Sequence, residues 1–370
     1  MKRKIITLGL AAILVLSLMT GCGGNTTTSS SSGTPTPEPA APEKVIVLKL
    51  ANQWPSTNFM NQEGGFIEQW TKELEEYTGG LVTIENYPDN TLISARENYQ
   101  GIVDGIADIG MVPYSYSTGR FPVVEAFLLP GVANFNNAIA GSHAVNEAIE
   151  TLNPAELQDT HHLYSFSTGA SALLSTKKPI RTLEDVKGLS FGVTQAERAK
   201  AMELWGAVPV SVPAPEFYEG CQRGLMDGGI MSLESLRSLR LIEVTGDYIT
   251  MSPVFACSMN YCVMNKDTWD SLPDIAKEFF SIPPEYILGG WDTQGLSVLN
   301  WAREQKDVEL IYLEPEEEAR WAAAISSIGA DNIKALDAQG IDGAELHKYI
   351  KELQDKYNEM FPMVLRDSVE

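Results

Sequence analysis

The stretch ARENYQGIVDGIADIG, residues 95–110, returns 119 positions later as APEFYEGCQRGLMDGG, residues 214–229, with seven identities in 16 aligned positions. Each copy reads as a helix, a glycine break (Gly105, Gly224) and a short strand entered through Asp (Asp108, Asp227). An ungapped register of this length points to a duplicated structural unit. Outward from the first copy, VIVLKLA (45–51) is a β-branched apolar run, read as a buried strand. Phe66, Ile67, Trp70, Leu74 and Tyr77 then recur at helical spacing before the Gly79-Gly80 stop. LVTIENY (81–87) is a second strand, Ser94 with Glu97 predicts a capping box for a helix through Tyr99, Ile102 and Val103, and residues 107–112 are a third strand. Around the second copy, Thr182 caps the turn TLEDVKG, LSFGV (189–193) is a strand, and residues 196–205 form a helix stopped by Gly206. Val208, Val210 and Val212 alternate as another strand. Strand and helix alternate through both halves, which means α/β sheets. Two such lobes leave a cleft between them, where ligands sit beyond strand C-termini.

The remainder of the chain completes the two halves. SLESLRSLRLIEV (232–244) reads as a surface helix, PVFACSMNYCVMN (253–265) as a strand returning to the first lobe, and residues 269–280 as the start of a helical C-terminal third. Residues 296–305 and 316–336 are long helix candidates that brace both lobes.

The N-terminus addresses the compartment. Lys2, Arg3 and Lys4 precede an apolar run over residues 5–19, too short for a comfortable membrane span and suited to a secretory h-region. It ends in Leu18-Met19-Thr20-Gly21-Cys22, which resembles a bacterial lipobox with Met19 where Leu is usual. The expectation is an exported lipoprotein: residues 1–21 a signal peptide, Cys22 lipidated, and residues 22–44 a Ser/Thr/Pro tether with almost nothing apolar to bury. With 27 Lys plus Arg against 49 Asp plus Glu, the net charge is −22, and losing the three signal-peptide cations makes it −25. Such a surface opposes binding to nucleic acid or to anionic bilayers except through the Cys22 anchor.

Catalytic and metal chemistry find little material. Four Cys and four His carry no CxxC or HExxH spacing, so neither a metal site nor a cofactor is expected. Cys257 and Cys262 are an odd number of residues apart, which on one strand sends them to opposite faces as free thiols. His161 and His162 are adjacent and point apart, and the Gly169-Ala-Ser171-Ala segment is no nucleophile elbow, so the expected class is not an enzyme.

Seven blocks carry a family resemblance, in order: LKLANQWP, YTGGLVTIENYPDN, ENYQGIVDGIADIGMVP with FPVVEAFLLP, KKPIRTLEDVKGL, WGAVPVSVPAPEFYEGCQRGLMDGGI and YCVMNKDTWDSLP. Together they resemble the extracytoplasmic solute-binding proteins of TRAP (tripartite ATP-independent periplasmic) transporters, the DctP-like family. The resemblance implies a two-lobe, periplasmic-binding-protein-like α/β fold that closes on a small organic solute, usually an organic acid, and delivers it to the small and large TRAP membrane subunits. By this reading residues 45–169 and 257–296 form lobe I, and residues 170–256 and 297–370 form lobe II with the bracing helices. A binding protein of an ATP-driven ABC importer, or a ligand-sensing partner of a membrane receptor, would share the same lobe logic.

The chain departs from the family where the ligand is held. The strand after KGL usually carries an Arg that forms a two-pronged salt bridge with the ligand carboxylate, and here that position is Gly192. The Asn frequent in the strand after VDG becomes Met231, and a third polar position falls near Ala172. Loss of the Arg fork removes the standard partner of a desolvated carboxylate and opens volume. Arg198 and Arg120 are the nearest cations in sequence that could replace it, although either could equally be a solvated surface Arg. The rings Trp54, Phe59, Tyr114, Tyr116, Phe121 and Phe191 are candidates to line the cleft, favouring an aromatic or apolar ligand with few charges.

Overall fold

A computed structural model of the chain describes residues 44–169 and 171–362. The signal segment, Cys22 and the tether up to residue 43 lie outside the described residues. Among the described residues eleven strands follow one another: β1 Ile46–Asn52, β2 Val82–Tyr87, β3 Ile109–Pro113, β4 His161–Ser167, β5 Ala172–Ser175, β6 Ser190–Val193, β7 Val208–Ser211, β8 Gly228–Met231, β9 Tyr248–Met251, β10 Met259–Met264 and β11 Glu309–Tyr312. They make two sheets, one ordered β2-β1-β3-β10-β4 and the other β11-β9-β5-β8-β6-β7. β1, β2 and β3 run parallel, as do β6, β7 and β8, while β10 and β5 insert antiparallel beside β3 and β8.

The repeated stretch has one structural job in both sheets. Asp108 opens β3 and its carboxylate accepts the backbone N–H of Lys49 on β1 at 2.8 Å. Asp227 opens β8 and accepts the N–H of Ser190 on β6 at 2.9 Å. Each carboxylate therefore fixes the register of a parallel strand pair, and each is preceded by a glycine with left-handed φ, +73° at Gly105 and +69° at Gly224, that turns the chain out of its helix.

The chain crosses between the sheets from β4 to β5, at residues 252–258, and along the helix Gly290–Gln305. Both faces of the first sheet are covered. Tyr99, Phe121 and Tyr261 pack on one side, and Trp70, Tyr164 and Phe166 on the other. The second sheet buries Phe191, Trp205 and Trp321 on one face and Phe217, Leu236 and Leu299 on the other. The last helix, Gly343–Met360, packs on Ala138–Leu152 beside the first sheet, and Lys356 pairs with Glu147 across that contact at 2.5 Å.

Three local expectations change. Ser94 and Glu97 do not form a capping box: Ser94 Oγ donates to Glu97 Oε2 at 2.8 Å, and the helix starts at Asn98 without a side-chain cap. Residues 232–244 are not one surface helix. They hold one α-helical turn at Ser235–Ser238, break at Arg240 in the left-handed region (φ +55°), resume as a 3-10 turn at Leu241–Glu243, and bury Leu236 and Leu241. Residues 316–336 are two helices, Pro315–Ala324 and Ser326–Asp337, parted at Ile325, which buries its side chain beneath Gly131.

Candidate functional site

A cavity of about 380 Å³ lies between the two sheets. The first sheet presents Trp54, Asn58, Asn90 and Tyr116 to it, the second Thr194, Arg198, Met231 and Glu234, and the crossings supply Thr168, Ser171, Ser258 and Trp291. Larger grooves, about 700 Å³ beside Arg237 and Arg240 and about 770 Å³ beside Arg120, are not lined from both sheets and lie away from this meeting point.

Trp54 is held in place by its backbone. Its N–H donates to Asn52 Oδ1 at 3.1 Å, while its carbonyl accepts Asp89 N at 2.9 Å and Asn61 Nδ2 at 2.6 Å. The amides of Asn52, Asn61 and Asn86 bond to one another and lock the loops that leave β1 and β2. Trp291 stands 6.3 Å from Trp54, ring centroid to centroid, and is backed edge-on by Phe59 at 4.8 Å. The two indoles are preorganised walls for a flat apolar group.

Arg198 sits in the first turn of the helix Ala196–Trp205, which leaves β6, and is only 3% exposed. Its Nη2 donates to Ser171 Oγ at 2.8 Å and to the Ala256 carbonyl at 3.3 Å, one acceptor on each of two crossings. Its Nε is buried without a partner, and among the described residues no carboxylate lies within 4.0 Å. Burial pushes this guanidinium down to about 10. A cation so deeply desolvated is costly unless an anion joins it.

Glu234 follows β8 and is 6% exposed, with burial pushing its carboxyl up to about 7. Trp291 Nε1 and Asn260 Oδ1 also line the cavity as buried polar atoms without partners. The Asn260 amide is oriented by donation from Nδ2 to the Phe166 carbonyl at 3.2 Å. Arg198, Asn260 and Trp291 thus each bring a buried polar atom without a partner to the place where the two sheets meet.

Of the residues singled out in the sequence, Trp54, Tyr116, Arg198 and Met231 meet in this cavity. Tyr114 does not; it is buried in the first core with its hydroxyl on Ser165 Oγ at 2.7 Å. Phe191 is buried in the second core, and Phe59 and Phe121 also pack in the interior. Arg120 lies elsewhere, paired with Asp159 at 2.8 Å and over the Tyr99 ring at 4.4 Å. Gly192 has no open volume beside it: a Cβ there would stand 2.7 Å from both Met226 Sδ and Phe217 Cε1. The space expected from the missing Arg is filled by these side chains. Ala172 lies beside Met231 in the β5–β8 register and is fully buried.

Glu234, Trp291 and Asn260 escaped the sequence reading. Glu234 hid in a stretch patterned like a surface helix, and Trp291 precedes the point where helical periodicity becomes visible. Asn260 alternates inside a strand like any core-facing position.

The profile of the bacterial extracellular solute-binding proteins, family 7 (DctP), matches residues 51–336. A solute-binding protein of Albidiferax ferrireducens is 27% identical over 232 residues, covering 61% of this chain and 68% of that protein. Among solved structures, a TRAP periplasmic solute-binding protein from Desulfovibrio salexigens superposes with a TM-score of 0.76 at 29% identity, covering 85% of this chain and 97% of the other. A marine-metagenome TRAP solute-binding protein specific for aromatic acid ligands, crystallised with 3-hydroxybenzoate, gives a TM-score of 0.77 at 26% identity, covering 85% and 99%.

Proposed function

The chain belongs to the bacterial extracellular solute-binding proteins of family 7, the DctP family, and from that premise we propose that its cleft captures a small aromatic or otherwise flat carboxylate, with Arg198 as the cation that receives the carboxylate. As a member it is a TRAP-type solute receptor and not an enzyme; it binds a small organic solute and works with the TRAP membrane components. The observation that carries the ligand reading is the buried guanidinium of Arg198, which lines the cavity with an unpartnered Nε and no anion beside it. A carboxylate there would gain charge-assisted hydrogen bonds and relieve the cost of the buried cation. The Trp54 and Trp291 indoles suit a flat ring, and the similar marine protein that takes aromatic acids supports the same chemistry.

The receptor is extracytoplasmic by family. The finer reading is a lipid anchor on Cys22, supported by the basic start, the short apolar run and the Leu18 to Cys22 sequence. Mass spectrometry of protein from native membranes should find a lipid-modified Cys22 as first residue; an unmodified Met1 would contradict it.

Isothermal titration of the purified protein with benzoate, benzamide and succinate tests the ligand reading. Benzoate should bind and its neutral amide should not. Benzamide binding as well as benzoate would remove Arg198 from the role, and tight binding of succinate would remove the indoles.

A further inference from the structure

The carboxylates that lie wholly or partly inside this molecule fall into two kinds. Asp292 accepts the backbone N–H groups of Ala138 and Ile139 at 2.7 and 3.1 Å, and Glu156 accepts those of Val123 and Val124, both at 3.0 Å. Asp227 accepts Ser190 N and pairs with Lys177. Each of these holds a piece of the scaffold. Glu234 holds none: its only hydrogen-bond donor among the described residues is the Ser238 hydroxyl, 2.8 Å from Oε2. Its other oxygen receives nothing, although the side chain is more deeply buried than most charged groups and lines the same cavity as Arg198. Glu234 thus brings an acceptor with spare capacity to the cavity wall, where a donor that arrives with the ligand can meet it. Asn260, whose Oδ1 is a buried acceptor without a partner, lines the same cavity.

We infer that the solute is bifunctional: besides the carboxylate assigned to Arg198 it carries a hydrogen-bond donor, a hydroxyl or an ammonium group, that Glu234 accepts. The inference rests on the reading of the cleft as a carboxylate site and narrows its substrate class. It disfavours dicarboxylates, whose second anionic group would have to share a proton with a buried carboxyl. Hydroxyl and ammonium share the donor chemistry and differ in what they ask of the acceptor. An ammonium gains from a charged carboxylate, whereas a hydroxyl is served equally by a neutral amide oxygen.

The test is isothermal titration of the purified protein with benzoate, isophthalate, the three hydroxybenzoates and the three (aminomethyl)benzoates. Wild type should bind at least one donor-bearing acid about tenfold or more tighter than benzoate, as a buried acceptor discriminates against ligands that leave it unpaired, and should reject isophthalate. In Glu234→Met that preference should shrink to within about threefold. Glu234→Gln, which is isosteric, should keep the preference if the favoured donor is a hydroxyl and lose it if it is an ammonium. Benzoate binding with no gain from any donor, or a gain that survives in Glu234→Met, would overturn the inference and leave the carboxylate reading standing. If no acid binds, the carboxylate reading fails; phenol or benzylamine binding that is lost in Glu234→Met would then uphold the donor role of the ligand alone, and its absence would overturn both.

Discussion

The surface around Arg120 and the cleft around Arg198 place the same guanidinium group in opposite surroundings. Arg120 is partly exposed, bonds Asp159 and lies over the Tyr99 ring, so the chain itself provides its anion. Arg198 is almost fully buried, donates only to a hydroxyl and a carbonyl, and among the described residues has no carboxylate within 4.0 Å. Both leave Nε without a partner, so the orphaned atom alone does not separate them. What separates them is a buried charge with no counter-charge. Asp292 and Glu234 repeat the contrast with the sign reversed: one carboxylate is saturated by backbone N–H groups and the other is left open in the cleft. A scaffold completes its own polar pairing, whereas a receptor leaves part of it for the solute to complete.

The largest effect comes from placing a third arginine where packing is already complete. Gly192→Arg should destabilise the fold by about 4 kcal/mol, through overpacking against Phe217 and Met226 and burial of a charge without an anion. Chemical denaturation reads it, and a variant as stable as wild type would show that the second core has room for the family's Arg.

Arg198→Met should weaken benzoate-type binding by about 100-fold or more, equivalent to about 3 kcal/mol. Its melting temperature should stay level or rise, because an unpaired buried cation is removed. Arg120→Met should do the reverse, leaving affinity within about twofold and costing about 1 kcal/mol of stability with its ion pair and ring contact. Equal effects of the two changes on titration would erase the contrast.

The carboxylate pair separates by pH. Glu234 is raised from 4.5 to about 7 in the fold, so the proton is held more tightly folded than unfolded. The stability it contributes is complete below about pH 4.5 and is lost as pH rises through about 7. Glu234→Gln removes that titration, and its stability relative to wild type should grow by about 3 kcal/mol between pH 4 and pH 8. Asp292, also raised by burial, to about 6, caps the helix Ala138–Leu152. Asp292→Asn should therefore destabilise at both pH values, since the amide supplies only one good acceptor for two N–H groups. Thermal melts at the two pH values decide, and a flat Glu234→Gln difference would mean that its carboxyl is not desolvated.

The smallest effect lies at the crossing that Arg198 touches. Ala256 has φ +58° and ψ 171°, a conformation that disfavours a side chain. Ala256→Gly should stabilise by about 1 kcal/mol, and a loss of stability of that size would show the backbone to be unstrained there.

The repeated stretch exposed the fold because its two Asp residues do the same register-fixing work in both sheets, and local work leaves a local pattern. The helix Ala196–Trp205 with its Gly206 stop, and the return of the chain into the first sheet through β10, were legible for the same reason. The site was legible in part. Trp54 and Met231 sit at strand ends, where the alternation of strand and loop can be followed. The difference between Arg120 and Arg198 was not, because it depends on which acceptors two crossings bring to a helix's first turn. Nor could Gly192 show that Phe217 and Met226, both from the second copy of the repeat, already occupy its side. Glu234 was concealed by a stretch whose apolar spacing fits a helix, although Arg240 breaks it and its leucines turn inward.

The most direct test of the central claim is a crystal structure of the receptor with an aromatic carboxylate it binds. The account predicts the carboxylate within about 3 Å of the Arg198 guanidinium, at hydrogen-bond distance, with the ring against Trp54 and Trp291. A carboxylate bound elsewhere in the cleft, with Arg198 still resting only on Ser171 and Ala256, would contradict it.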